Sequence, residues 1–206
     1  MPEFLLWDFD GVLVDTERWY FEATRVTLAG IGVELTQARY LEFMTAGRSS
    51  LDLAPAAEVA RLRAQRDEVY REFLRTKPIE IDGVADALGE LDGKYRMAIV
   101  TTARRADFEL ICAGRDLPRH FEFALTRDDY AHPKPAPDPY LAALERFGAD
   151  ASQTLAIEDS ARGLHSAQAA GIPCIAIPNS FTSSLDFSGA LRVLASVREL
   201  PAVLAS

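Results

Sequence analysis

The chain has little cysteine, no surplus of positive charge and no long apolar run. Cys112 and Cys174 are its only cysteines. They form no CxxC pair, lie far apart and have apolar neighbours, so they read as buried thiols in a reducing compartment. Lys and Arg total 22 against 31 Asp and Glu, a net charge of −9. A nucleic-acid footprint needs clustered Lys and Arg, so that class is excluded. An anionic substrate would have to be drawn in by a local cation, against the overall field. No apolar stretch approaches the ~20 residues of a membrane helix. The run Phe4-Leu5-Leu6-Trp7 is too short for a signal peptide and lacks a basic flank, so a cytoplasmic protein without a membrane partner is expected. Dinucleotide and P-loop signatures are missing as well. Gly30-Ile31-Gly32 lacks a third glycine and follows a helical pattern, and no GxxxxGK occurs. Repeats, low-complexity tracts and heptads are not found.

What is present is ordinary globular material, 49% hydrophobic and 26% charged, enough for a full core without staples. Four short apolar runs read as buried parallel strands: Phe4–Trp7, Met97–Val100, Thr154–Ile157 and Cys174–Ile177. Phe121–Leu125 is a weaker fifth. Helical faces lie between them. Val84, Ala87, Leu88 and Leu91 make one, with Asp82 as the expected N-cap. Tyr140, Leu141, Leu144 and Phe147 make another, ended by Gly148. Leu164, Ala167 and Ala170, closed by Gly171 and Pro173, make a third. The alternation predicts an α/β fold with a doubly wound parallel sheet.

The first strand breaks the rhythm, because no second strand follows until about residue 96. Helices are expected at about Glu17–Ala29, about Thr36–Thr45, and from Pro55 to just before Pro78. In the last, Val59, Leu62, Val69 and Phe73 share a face. Residues 16–79 are therefore expected to form a small helical domain over the mouth of a sheet built from 1–15 and 80–206.

Four constellations carry chemistry, each at a strand's carboxyl end, where open α/β sheets bind ligands. In Asp8-Phe9-Asp10-Gly11, two carboxylates at i and i+2 share one face and repel unless a hard cation joins them or one is protonated. Gly11 permits a sharp turn. An Asp/Gly-rich turn is the plain alternative. An EF-hand is ruled out, since Val12 and Trp19 fall where ligands are required. Thr101-Thr102 offers a hydroxyl and backbone N–H groups for phosphate oxygens, though by itself a Ser or Thr at a strand end is more often a simple cap. Lys134 stands between Pro133 and Pro135, which stiffen its presentation, so one ammonium is placed to neutralise developing charge. Glu158-Asp159-Ser160 adds two more acids able to complete a cation's oxygen shell, with Ser160 as a helix cap.

Taken in order, Asp8, Asp10, Thr101, Lys134, Glu158 and Asp159 resemble the haloacid dehalogenase-like phosphohydrolases across nearly the whole core. The phrases KPAPD and EDSARG resemble the branch holding phosphoglycolate phosphatase and β-phosphoglucomutase, whose members carry a helical cap after the first strand. Two departures are Trp7, where Phe is frequent, and Ala103, where a polar residue is frequent. The resemblance implies a Mg²⁺-dependent phosphatase acting as a monomer on a small phosphorylated metabolite. Asp8 would be the nucleophile and Asp10 the general acid and base. Mg²⁺ would be bound by Asp8, Asp10 through its backbone carbonyl, and Asp159, with Glu158 orienting a metal water. Thr101 and Lys134 would hold phosphoryl oxygens, and Thr102 would lie against substrate. Thr16, Tyr20 and the cap would select the substrate. Arg48 reads equally as a contact for a second anionic group and as a surface arginine. Rival readings are a phosphohexomutase, a metal-free 2-haloacid dehalogenase and a catalytically silent binding protein on the same fold.

Overall fold

The computed structural model describes residues 2–205, apart from the side chain of Thr45. Its centre is β1 (Phe4–Trp7), four buried aliphatic and aromatic residues. A strand that reads apolar on both faces must be covered on both. β2 (Arg96–Val100) and β4 (Thr154–Glu158) flank it in parallel, with Leu6 opposite Ala98 on one side and Ala156 on the other. β3 (Phe123–Leu125) extends the sheet beyond β2. β5 (Cys174–Ala176) and β6 (Arg192–Val193) extend it beyond β4. The order is β3-β2-β1-β4-β5-β6, all parallel, which is the doubly wound sheet the sequence predicts. The winding direction reverses between β1 and β4, so the crevice outside their carboxyl ends is the place where such sheets bind ligands.

The period-two alternation of a strand sends Phe4 and Leu6 to one face. There they pack with Ala98, Val100 and Ala156 against Tyr140 and Phe147 of α6 (Asp138–Phe147) and Leu164 and Ala167 of α7 (Ala161–Ala169). Trp7 points the other way and meets Phe121 edge-on. Its indole N–H is buried and has no hydrogen-bond partner among the described residues, a cost that a phenylalanine would not carry.

Contacts divide the chain into two compact units. One runs to Asp15 and resumes at Glu80, and the other is Thr16–Ile79. The second holds α1 (Glu17–Ala29), α2 (Gln37–Thr45) and α3 (Val59–Thr76). The face that α3 buries is Leu62, Arg66 and Leu74. Of the residues expected there, Leu62 alone is fully buried, because an arginine occupies the next turn of the stripe. At α4 (Val84–Leu91) the expected cap is also displaced. Gly83, at φ 86°, takes the N-cap position, and the Asp82 carboxylate pairs with Arg198 at 2.7 Å instead. β6 is not legible in the sequence, because its two residues are both exposed. No helix among the described residues is long and apolar enough to cross a membrane.

Leu6 is fully buried on the central strand. Leu6→Ala should destabilise the protein by about 2–5 kcal/mol, read from urea unfolding. A loss under 0.5 kcal/mol would contradict the packing described.

A carboxylate cluster at the sheet's switch point

Asp8 directly follows β1, and its N–H donates to the Ile157 carbonyl at 2.9 Å, so the ladder carries it to the sheet's edge. The turn after it closes through Leu13 and Val14, whose N–H groups both donate to the Phe9 carbonyl. Phe9, Val12, Leu13 and Val14 are all buried, and that anchors the loop from below.

Lys134 lies in the loop before α6. The loop is pinned to α7 by Arg162, which donates to the Lys134 carbonyl at 2.8 Å, and by Ser166, which donates to the Ala136 carbonyl at 2.6 Å. The Lys134 side chain is 4% exposed. Its ammonium donates to Asp8 Oδ1 at 2.8 Å, to the Val100 carbonyl at 2.8 Å and to Glu158 Oε1 at 2.6 Å. An ammonium has three protons, and all three are committed here. Burial alone would push its pKa down, but the Asp8 and Glu158 carboxylates overcome that and raise it. Glu158 is fully buried, and Oε1 also accepts from the Tyr140 hydroxyl at 2.7 Å. Burial, then the Asp8 charge, push its carboxyl up against the pull of Lys134 and Tyr140. Gly163 makes room for it, since a Cβ there would lie 1.9 Å from the carboxyl group.

Asp159 is buried beside Asp8. One oxygen each of Asp8, Glu158 and Asp159 lies within 4.8 Å of the others. The Asp10 carboxylate is not part of that trio. Its Oδ2 accepts from the buried Thr101 hydroxyl at 3.1 Å, and that hydroxyl accepts from the Ala103 N–H at 2.9 Å. Ala103, a departure at side-chain level, thus contributes through its backbone. Thr102 is exposed next to this pair. Six of the expected residues are therefore gathered at the ends of β1, β2 and β4.

Thr16, Tyr20 and Arg48 belong to the helical unit. Thr16 is buried. Tyr20 carries the Arg66 guanidinium 4.3 Å above its ring and accepts a hydrogen bond from it at the hydroxyl. Burial raises the Tyr20 pKa, with Arg66 opposing. Arg48 is exposed, over the Phe43 ring and 3.8 Å from Asp52. Two polar residues escaped the sequence reading. Arg66 had a signal, since it stands four residues after Leu62 within an apolar stripe. Asn179, which donates to Asp159 Oδ2 at 2.7 Å, had none.

The sequence profile of the haloacid dehalogenase-like hydrolases matches residues 5–177. Protein CbbY of Rhodobacter capsulatus is 34% identical over 90% of this chain and 89% of its own. A phosphorylated carbohydrates phosphatase of Thermotoga maritima is 30% identical, covering 82% of each. Among solved structures, CbbY from Rhodobacter sphaeroides in complex with xylulose-(1,5)bisphosphate superposes with a TM-score of 0.83. It is 28% identical and covers 97% of this chain and 96% of that one.

Among the described residues, Lys134 is the one cation bonded to both Asp8 and Glu158. Lys134→Met should cost about 3–5 kcal/mol, because it leaves two buried carboxylates uncompensated. Thermal unfolding of metal-free protein measures this. An unchanged Tm would remove Lys134 from its central role.

Proposed function

The chain belongs to the haloacid dehalogenase-like hydrolases and is a phosphatase of that family; on this premise we propose that it hydrolyses a small phosphate monoester with Mg²⁺, through an aspartyl-phosphate on Asp8. The observation that carries this is the Asp8 carboxylate held by Lys134 at 2.8 Å beside two further buried acids. Lys134 keeps one Asp8 oxygen in place, so its partner oxygen meets phosphorus in a fixed direction. Attack forms the Asp8 O–P bond, breaks the ester O–P bond, and sends the leaving alkoxide to a proton on Asp10. Asp10, oriented by Thr101, then takes a proton from water as water displaces Asp8 and releases phosphate. Thr102, exposed at the end of β2, is assigned to the phosphoryl oxygens, because the one Thr101 hydroxyl proton is already given to Asp10.

The donor set fits Mg²⁺. It offers hard carboxylate oxygens in close approach, and the cluster carries more negative charge than one ammonium offsets. Asp8, Asp159 and the Asp10 backbone carbonyl would hold the ion, while Glu158, already engaged by Lys134 and Tyr140, orients its surroundings. When bound, the ion withdraws charge from the transferring phosphoryl group.

Sugar phosphates are the favoured substrate class, because the relatives include a phosphatase of phosphorylated carbohydrates. We assign substrate selection to the helical unit as a cap, through Thr16, Tyr20 and Arg48. Phosphatase is favoured over mutase by Tyr20. β-Phosphoglucomutase relatives place a histidine at this point in the first cap helix, and a proton switch near neutrality suits a mutase. A tyrosine with a raised pKa supplies no such switch.

Asp8→Asn should abolish p-nitrophenyl phosphate hydrolysis, and Asp10→Asn should lose about 10²–10⁴-fold. EDTA should silence the native enzyme, and Mg²⁺ should restore it. Full activity in EDTA would sink the metal assignment, and turnover by Asp8→Asn would sink the covalent one. With Mg²⁺, β-glucose 1-phosphate and a trace of glucose 1,6-bisphosphate, free phosphate should appear. Rapid glucose 6-phosphate formation without it would establish the mutase reading.

A further inference from the structure

Asn179 follows β5 by three residues and belongs to none of the four motifs at the strand ends. All its polar groups are nonetheless engaged. Its backbone N–H donates to the Thr182 hydroxyl at 3.0 Å, and its carbonyl accepts from Thr182 and Ser183. Its side-chain Oδ1 accepts from the Phe181 N–H at 2.8 Å. That bond decides the orientation of the amide, since only the oxygen can accept. Nδ2 must then face Asp159, to which it donates at 2.7 Å.

Gly11 closes the arrangement from the other side. At φ 85°, it presents no side chain to the bond; a Cβ would fall 2.2 Å from Asp159 Oδ2 and 2.6 Å from Asn179 Nδ2. Loops after β1, β4 and β5 thus meet at one hydrogen bond. Gly11 and Asn179 also help line a cavity of about 330 Å³. Water there would compete for this Asp159 oxygen if the amide were removed, and a mobile water fixes a carboxylate oxygen less firmly than a locked amide does.

We infer that Asn179 is a positioning residue for Asp159: its amide, oriented by the Phe181 N–H, holds one carboxylate oxygen so that the group is preset to receive the cation. This rests on the proposed Mg²⁺ reading. Partners that orient a metal-binding side chain are worth about 10–100-fold in metal affinity.

Asn179→Ser tests it, because serine keeps an acceptor for the Phe181 N–H yet is too short to reach Asp159. Isothermal titration of metal-free protein with Mg²⁺ should show a Kd raised by at least about tenfold. Thr182→Val, which loosens the same turn but keeps the amide, should bind Mg²⁺ as the native protein does. If Asn179→Ser fails to fold, Asn179→Thr carries the same expectation. A Kd within twofold of native for Asn179→Ser would overturn the inference. An equal loss in Thr182→Val would also overturn it, since the turn and not the amide would then matter. If the native protein itself bound no Mg²⁺, the metal reading would fall, and this inference with it.

Discussion

The Lys134 ammonium touches the ends of three neighbouring strands at once: Asp8 after β1, the Val100 carbonyl ending β2 and Glu158 ending β4. Each contact is buried, where Coulomb interactions are screened least and unpaired charge costs most. Without this cation, two carboxylates would face one another in a low-dielectric crevice and one would protonate or move. The proline-flanked loop, the clamp from Arg162 and Ser166, and the Tyr140 hydroxyl all converge on keeping that ammonium and its partners in register. A flexible surface lysine could not hold three strand ends together, because ordering its stem would cost too much entropy at each opening.

Such crowding is possible only where backbone comes unusually close to side chains. Gly163 lies against the Glu158 carboxyl, and Gly11 against the Asp159–Asn179 bond, at distances no Cβ tolerates. The acids are thus packed from behind as well as charged from in front. The core supports this from below. Phe4 and Leu6 alternate toward α6 and α7, the two helices that carry Tyr140 and Ser166. Packing energy and site geometry therefore share the same elements, and a core defect beneath β1 would be felt at Asp8.

The helical unit has its own buried charge. Arg66 occupies an apolar stripe and is neutralised by Asp67 at 2.8 Å and by the Tyr20 ring and hydroxyl. A buried guanidinium survives only with such partners. Tyr20 is thereby locked as a hydrogen-bond acceptor, a role far from proton exchange at neutral pH.

The sequence by itself determined the parallel sheet and the set of Asp8, Asp10, Thr101, Lys134, Glu158 and Asp159. Short apolar runs, turn residues and acids at strand ends are local patterns, and their order along the chain is a strong constraint. Tertiary structure decided the rest. Lys134 spends all three protons on protein atoms because Val100, 34 residues away in sequence, ends the neighbouring strand. Asp82 gives up its cap for Arg198, which stands 116 residues later. Arg66 is buried because Tyr20, on another helix, lies beneath it. Asn179 meets Asp159 across two loops with no shared motif. Each of these is a long-range pairing of polar groups, and periodicity along a chain records which residues turn inward but not which partners they find there.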